Sequence, residues 1–117
     1  MINYSVEISE TAKFDLFEIY RYIFNKILAR DTAKKIVSKI REMIYGLNKM
    51  PERYPLSRNV DLAKEGIRLM PVGNFHVFYF VEDSRVVVAR VMYGKRDVEL
   101  NKGFPLNECT FFENESN

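Results

Sequence analysis

A chain of 117 residues with 47% hydrophobic and 29% charged residues has the length of one ordinary domain and the composition of a soluble globular protein. Its single cysteine, Cys109, excludes an internal disulfide and a cysteine-built zinc site, and no apolar run approaches the ~20 residues of a membrane span. The net charge of +2 is unevenly spread: residues 1–102 hold all 18 Lys and Arg and 13 of the 16 acids, whereas residues 103–117 hold Glu108, Glu113 and Glu115 and no base.

The body therefore carries +5 and the tail −3, a balance that suits a nucleic-acid-facing protein and equally an ordinary domain. Apolar residues near the start alternate with polar ones and do not form a signal peptide, so a cytoplasmic protein without membrane association is expected.

Asn3 to Ile8 alternates polar and apolar, with Tyr4, Val6 and Ile8 on one side, and predicts a first strand. Ser9 then stands at a helix N-cap position, with Glu10 placed to complement the helix dipole. Ala12, Leu16, Ile19, Tyr20, Ile23 and Ile27 recur at helical spacing, widened by Phe17 and Phe24. Asp31 offers a second N-cap after a short link. Ala33, Ile36, Val37, Ile40, Ile44 and Leu47 make the stripe of a second helix, which implies an antiparallel helical hairpin. Lys34, Lys35, Lys39 and Arg41 lie toward the other side of that helix, as a solvated face in preference to a phosphate-binding strip. Gly46 weakens the helix, and Pro51 opposes its continuation past Met50. Asn48 to Ala63, with Pro51, Pro55, Ser57 and Asn59, is an irregular connection.

A three-stranded meander follows. Gly66 to Val72 predicts a strand, Gly73-Asn74 a two-residue turn, Phe75 to Val81 a second strand, Glu82 to Ser84 another turn, and Arg85 to Tyr93 the last strand. Alternation assigns Ile67, Leu69, Phe75, Val77, Tyr79, Val81, Val87, Ala89, Val91 and Tyr93 to the face that packs on the helices. It assigns Arg68, Met70, His76, Phe78, Phe80, Val86, Val88, Arg90 and Met92 to a face that helices need not cover. The expected architecture is α+β, in the order β-α-α-β-β-β, with the helical hairpin on one face of a small, mostly antiparallel sheet.

That second face carries the candidate chemistry. An arginine fork bonds two phosphate oxygens and stays charged, so Arg68 and Arg90 could converge on an anion, with Lys95 and Arg96 arriving from beyond the last strand. His76, the single histidine, is the side chain suited to proton transfer near neutral pH. Tyr93 is a second proton donor, although alternation sends it toward the core. Metal-free RNA cleavage wants a base, an acid and cations, and this set supplies one of each without a second histidine. The competing reading gives His76 a plain sheet position, with Arg68 and Arg90 pairing acids such as Glu7 or Glu99. Phe78 and Phe80 among arginines also fit a protein interface. No cofactor motif and no metal-ligand spacing is present in the sequence.

Several stretches together resemble the RelE/ParE superfamily of bacterial type II toxins. They are Ile8-Ser9-Glu10-Thr11-Ala12 leading into Asp15-Leu16, Leu47 to Pro51 closing the second helix, and Gly66-Ile67-Arg68 followed by Pro71-Val72-Gly73-Asn74-Phe75. Val77-Phe78-Tyr79 and Arg90-Val91-Met92-Tyr93-Gly94-Lys95-Arg96-Asp97 complete the set. The resemblance runs from Tyr4 to about Glu99 and implies a toxin domain over residues 1–102, followed by an acidic extension over 103–117. It implies a toxin held inactive by a co-encoded antitoxin, in a toxin–antitoxin hetero-oligomer.

Two targets stand open. RelE-like members cut messenger RNA in the ribosome, with basic residues on the open sheet face; ParE-like members inhibit DNA gyrase and lack a complete nuclease set. Arg68 and Arg96 match basic positions of the RelE-like pattern, but His76 stands where an arginine is frequent there. Nothing at Leu100 to Lys102 replaces the late tyrosine of RelE, and Tyr93 stands where ParE-like chains often have histidine. The Pro-Val-Gly-Asn and Tyr-Gly-Lys-Arg-Asp stretches look more like the ParE side. The favoured expectation is a gyrase inhibitor that is not an enzyme. The alternative is a metal-independent, ribosome-dependent mRNA endoribonuclease using Arg68, His76 and Arg96, with Tyr93 and Arg90. The extension, with Phe104, Leu106, Phe111 and Phe112, is too apolar to be only solvated; folding back on the sheet and docking in a partner are both open.

Overall fold

Ser9, between the first strand and the first helix, ties that helix to the last strand by two bonds from one hydroxyl. Its Oγ accepts from the Ala12 N–H at 3.0 Å, as an N-cap does, and donates to the Ala89 carbonyl at 3.1 Å. The computed structural model describes residues 3–27 and 30–94, so Lys95, Arg96 and the 103–117 extension lie outside the described residues. Strand β1 spans Ser5–Ile8, helix α1 Glu10–Ile27 and helix α2 Arg30–Tyr45. Asp31 sits inside the first turn of α2 instead of capping it, where its charge still complements the helix dipole. Short 3₁₀ turns at Gly46–Asn48 and Pro51–Arg53 lead to a five-residue helix, α3 (Val60–Lys64). Asn59 caps α3 by accepting from the Leu62 N–H at 3.0 Å.

Strands β2 (Arg68–Val72), β3 (Phe75–Glu82) and β4 (Arg85–Tyr93) then complete a four-stranded sheet in the order β1-β4-β3-β2. β1 runs parallel to β4, and the meander pairs are antiparallel. The expected α+β order is thus present, with α3 as an addition. Ala12, Leu16, Ile19 and Ile23 of α1 and Ala33, Ile40 and Ile44 of α2 are buried against Met70, Val72, Val77, Tyr79, Val86, Val88 and Val91 of the sheet. Each fully buried Leu, Ile or Val contributes about 1.5–3 kcal/mol relative to exposure, so this layer is the main stabilising element. No helix among the described residues is long and apolar enough to cross a membrane.

The face assignment holds for β3 and fails for β2 and half of β4. The Gly73-Asn74 turn, with Gly73 at φ 59°, pairs Val72 directly with Phe75. Directly paired residues share a face, so Met70 and Val72 turn toward the helices, while Ile67 and Leu69 turn away. In β4, Val86 pairs with Val81 and Val88 with Tyr79, so both face the helices, contrary to expectation. A bulge then intervenes. Phe78 pairs with Arg90, Ala89 is the extra residue, and Val91 returns to the helical face as expected. The opposite face is not left open either. Leu62 of α3 packs there with Ile67, Phe78 and Met92, flanked by Leu69, Phe80 and Tyr93.

Candidate functional site

The residues expected to form one anion site are dispersed by this register. Arg68 lies opposite Tyr79 in the ladder, and Nη1 of Arg68 donates to the Tyr54 carbonyl at 2.6 Å and the Glu52 carbonyl at 3.3 Å. The Tyr79 hydroxyl donates to the Pro51 carbonyl. Burial pushes the Tyr79 phenol up to about 12, against an opposing pull from the nearby Arg68 and Arg53 charges. Arg53 donates to the Lys49 and Met50 carbonyls at 2.6 and 3.1 Å and lies over the Tyr54 ring at 5.0 Å. The 49–54 loop is thus held by two sheet side chains and by one of its own. Within it Met50 adopts φ 48°, ψ 54°, a left-handed conformation uncommon for a side chain of this kind, and is 65% exposed.

Arg90 is inside the protein. Its Nε donates to Asp15 Oδ2 at 2.8 Å and its Nη2 to Asp15 Oδ1 at 3.1 Å. Asp15 Oδ2 also accepts from the Val91 N–H at 3.0 Å. The bulge at Ala89 brings this carboxylate and guanidinium together, and Ser9 fixes the same bulge through the Ala89 carbonyl. The acid partnering Arg90 is therefore Asp15, whereas Glu7 pairs with Arg85 at 3.2 Å.

His76 shares the α3 side of the sheet with Phe78 and Met92. In the ladder it lies between Pro71 and Met92, and its ring meets Phe78 edge-on at 6.4 Å. Gly94 closes over it. A Cβ at Gly94 would lie 2.9 Å from His76 Nε2 and 3.1 Å from the Asn74 carbonyl oxygen, to which the Gly94 N–H donates at 2.7 Å. Tyr93 pairs with Phe75, ring to ring at 5.8 Å, and packs beside the α3 cluster. Arg68 and His76 therefore emerge on opposite faces, Arg90 is buried in its ion pair with Asp15 of α1, and Arg96 lies outside the described residues. Among the described residues, no group of three or more His, Cys, Asp and Glu could hold a metal ion.

A different concave surface lies on the outer side of the helical hairpin. Leu16, Phe17 and Tyr20 of α1 and Lys34, Val37, Ser38 and Arg41 of α2 line a groove of ≈ 320 Å³. Phe17 is 59% exposed in its wall, and Lys34 and Arg41 are exposed on its rim.

The family model described as the ParE toxin of the type II toxin–antitoxin system parDE matches residues 6–98. The chain belongs to this ParE toxin family. Among solved structures, the chromosomal ParDE toxin–antitoxin system from P. aeruginosa is similar in fold, with a TM-score of 0.66 and 21% identity over 77% of this chain and 95% of that one. The toxin–antitoxin complex RelBE2 from Mycobacterium tuberculosis is similar with a TM-score of 0.59 and 26% identity over 80% of this chain and 93% of that one. No curated protein sequence matches the chain.

In this ParE-family chain two features escaped the sequence reading. Asp15 stands between Ala12, Leu16 and Ile19 on the apolar stripe of α1, and a carboxylate there signals a buried cationic partner. The groove is not legible because helical spacing places Lys34 and Arg41 toward a solvated face and Phe17 on the widened apolar stripe.

Proposed function

We propose that this type II toxin acts by inhibiting DNA gyrase and is held inactive by a co-encoded antitoxin. The observation that carries the reading is the separation of the candidate nuclease groups. Arg68 is engaged by backbone carbonyls on the helical side, His76 stands on the other side under Gly94, and Arg90 is closed into an ion pair with Asp15. General acid–base cleavage of RNA needs its proton-transfer groups within hydrogen-bond reach of one scissile phosphate, and this geometry disfavours such a set. The ParE-family match supports the same reading.

The test is a pulse-label of cells just after induction, run with the wild-type chain and with a His76→Gln, Arg96→Gln variant. DNA synthesis should fall before protein synthesis, and the variant should arrest growth as the wild type does. An early fall in protein synthesis, with message cleavage that the variant abolishes, would overturn the proposal and establish the ribosome-dependent nuclease.

A further inference from the structure

The groove on the helical hairpin has an apolar floor and a cationic rim. Leu16, Tyr20 and Val37 form the floor, Phe17 stands as a half-open wall, and Lys34 and Arg41 border it from α2. Neither cation has an ion-pair partner among the described residues. Scattered exposed apolar residues are ordinary, but here one is part of a concave surface large enough to seat bulky side chains.

The same chain supplies a segment of matching chemistry. Gly103 to Asn117 contains Phe104, Leu106, Phe111 and Phe112 together with Glu108, Glu113 and Glu115, and no base. Its charge is opposite to that of the rim and its aromatic pair is flanked by acids. Distance does not prevent the contact. The residues after Gly94 number 23 and reach at most about 75 Å when extended, against a longest molecular dimension of 43 Å. A short tether also presents such a segment at an effective concentration on the order of millimolar, so a weak intrinsic affinity suffices for occupancy.

We propose that the acidic, aromatic tail docks in the groove of its own chain, with Phe111 and Phe112 on the floor and Glu108 and Glu113 toward Lys34 and Arg41. The tail then competes with any other ligand of the helical hairpin. This assignment is independent of the gyrase reading, because it concerns an intramolecular contact and its readout is not toxicity.

Cys109, the one thiol of the chain, permits a direct test in the full-length protein. A nitroxide is attached to it, and methyl signals are compared between groove and opposite face. The signals of Leu16 and Val37 should broaden far more than those of Leu62 and Met92, and tenfold dilution should leave the effect unchanged. Lys34→Glu with Arg41→Glu, at exposed positions that leave the core intact, should release the tail and abolish the difference. In the unlabelled chain, Phe111→Ser with Phe112→Ser should shift the Leu16 and Val37 methyl signals, which guards against displacement by the label. Even broadening with no such shift would overturn the proposal. So would an effect lost on dilution, which marks a second copy, or one centred on Leu62 and Met92, which places the tail on the sheet.

Discussion

Replacing Asp15 with Ala removes the carboxylate that accepts from Arg90 Nε at 2.8 Å, from Arg90 Nη2 at 3.1 Å and from the Val91 N–H at 3.0 Å. The Arg90 side chain is 0% exposed and that of Asp15 6%. A guanidinium cannot shed its charge under these conditions, so the variant leaves a buried cation uncompensated. Breaking one partner of such a pair costs about 3–5 kcal/mol, and that estimate already includes much of the penalty for the groups left unpaired. Against a total stability of about 5–15 kcal/mol for an ordinary domain, the loss is a large fraction. With about 4–8 °C per kcal/mol for a domain near 100 residues, the melting temperature should fall by on the order of 15 °C or more. Urea unfolding followed by far-UV circular dichroism should show a lower midpoint with an unchanged slope. The double variant Asp15→Leu, Arg90→Met should recover part of the loss, because apolar side chains of similar size avoid the desolvation cost of the ions while the Val91 N–H stays without its acceptor. A double-mutant cycle then gives a large coupling energy. A cost below about 1 kcal/mol for Asp15→Ala, the range of exposed pairs, would refute the buried placement of this pair. The stable double variant should also retain growth arrest, since the proposed function gives Arg90 no contact with a target.

Tyr79→Phe should cost about 1–2 kcal/mol in urea unfolding, because it leaves the Pro51 carbonyl without the phenol donor. Since burial raises the folded-state Tyr79 pKa to about 12 from the ordinary 10.0, its contribution is fully present below pH 10 and is lost as pH rises from 10 toward 12. Wild-type stability should therefore drop more steeply than that of Tyr79→Phe over this window, as read from urea midpoints. Gly94→Ala should destabilise by about 1–3 kcal/mol; adding His76→Ala should restore part of the loss, because the Asn74 carbonyl contact at 3.1 Å remains. Ser9→Ala should cost about 1 kcal/mol or somewhat more through the lost cap, and hydrogen exchange should report faster opening at Ala12.

The helices were legible because their signals are local. The Ser9 cap, the Ala12-Leu16-Ile19-Ile23 stripe and the Ile40-Ile44 pair need only helical periodicity, and all are buried or bonded as expected. The two-residue hairpin turn was legible too, and it contained more than was read from it. A two-residue turn pairs its flanking residues, so Val72 must share a face with Phe75, which alone reverses the β2 assignment. The β4 bulge had no local signature. Ala89 is extra because Ser9, 80 residues earlier in the chain, takes its carbonyl, and because Asp15 draws in the next side chain. Alternation assumes an unbroken ladder, so it places Val86 and Val88 on the wrong face and Val91, beyond the bulge, on the right one. The five-residue α3 falls in the stretch that reads as an irregular connection, since a segment this short shows no period.

The fold uses some of the chain's cations as structural donors and leaves others at the surface. The meander arginines looked like ligands for an anion, yet each is engaged by the fold: Arg68 by the Tyr54 and Glu52 carbonyls, Arg85 by Glu82 and Glu7, and Arg90 by Asp15. The hydrogen bonds to Glu82 and then Glu7 raise the Arg85 pKa further above its ordinary value. Nη1 of Arg68 holds two loop carbonyls, one of them at 2.6 Å, and acceptors stripped of a charged donor cost about 1.5–3 kcal/mol. Lys34 and Arg41 on α2 look like solvated charge in the sequence, yet they stand beside an apolar groove, and among the described residues neither has an ion-pair partner. Substitution at Arg68 consequently mixes loss of stability with loss of function, whereas charge reversal at Lys34 and Arg41 changes what the surface attracts while the core beneath it stays packed.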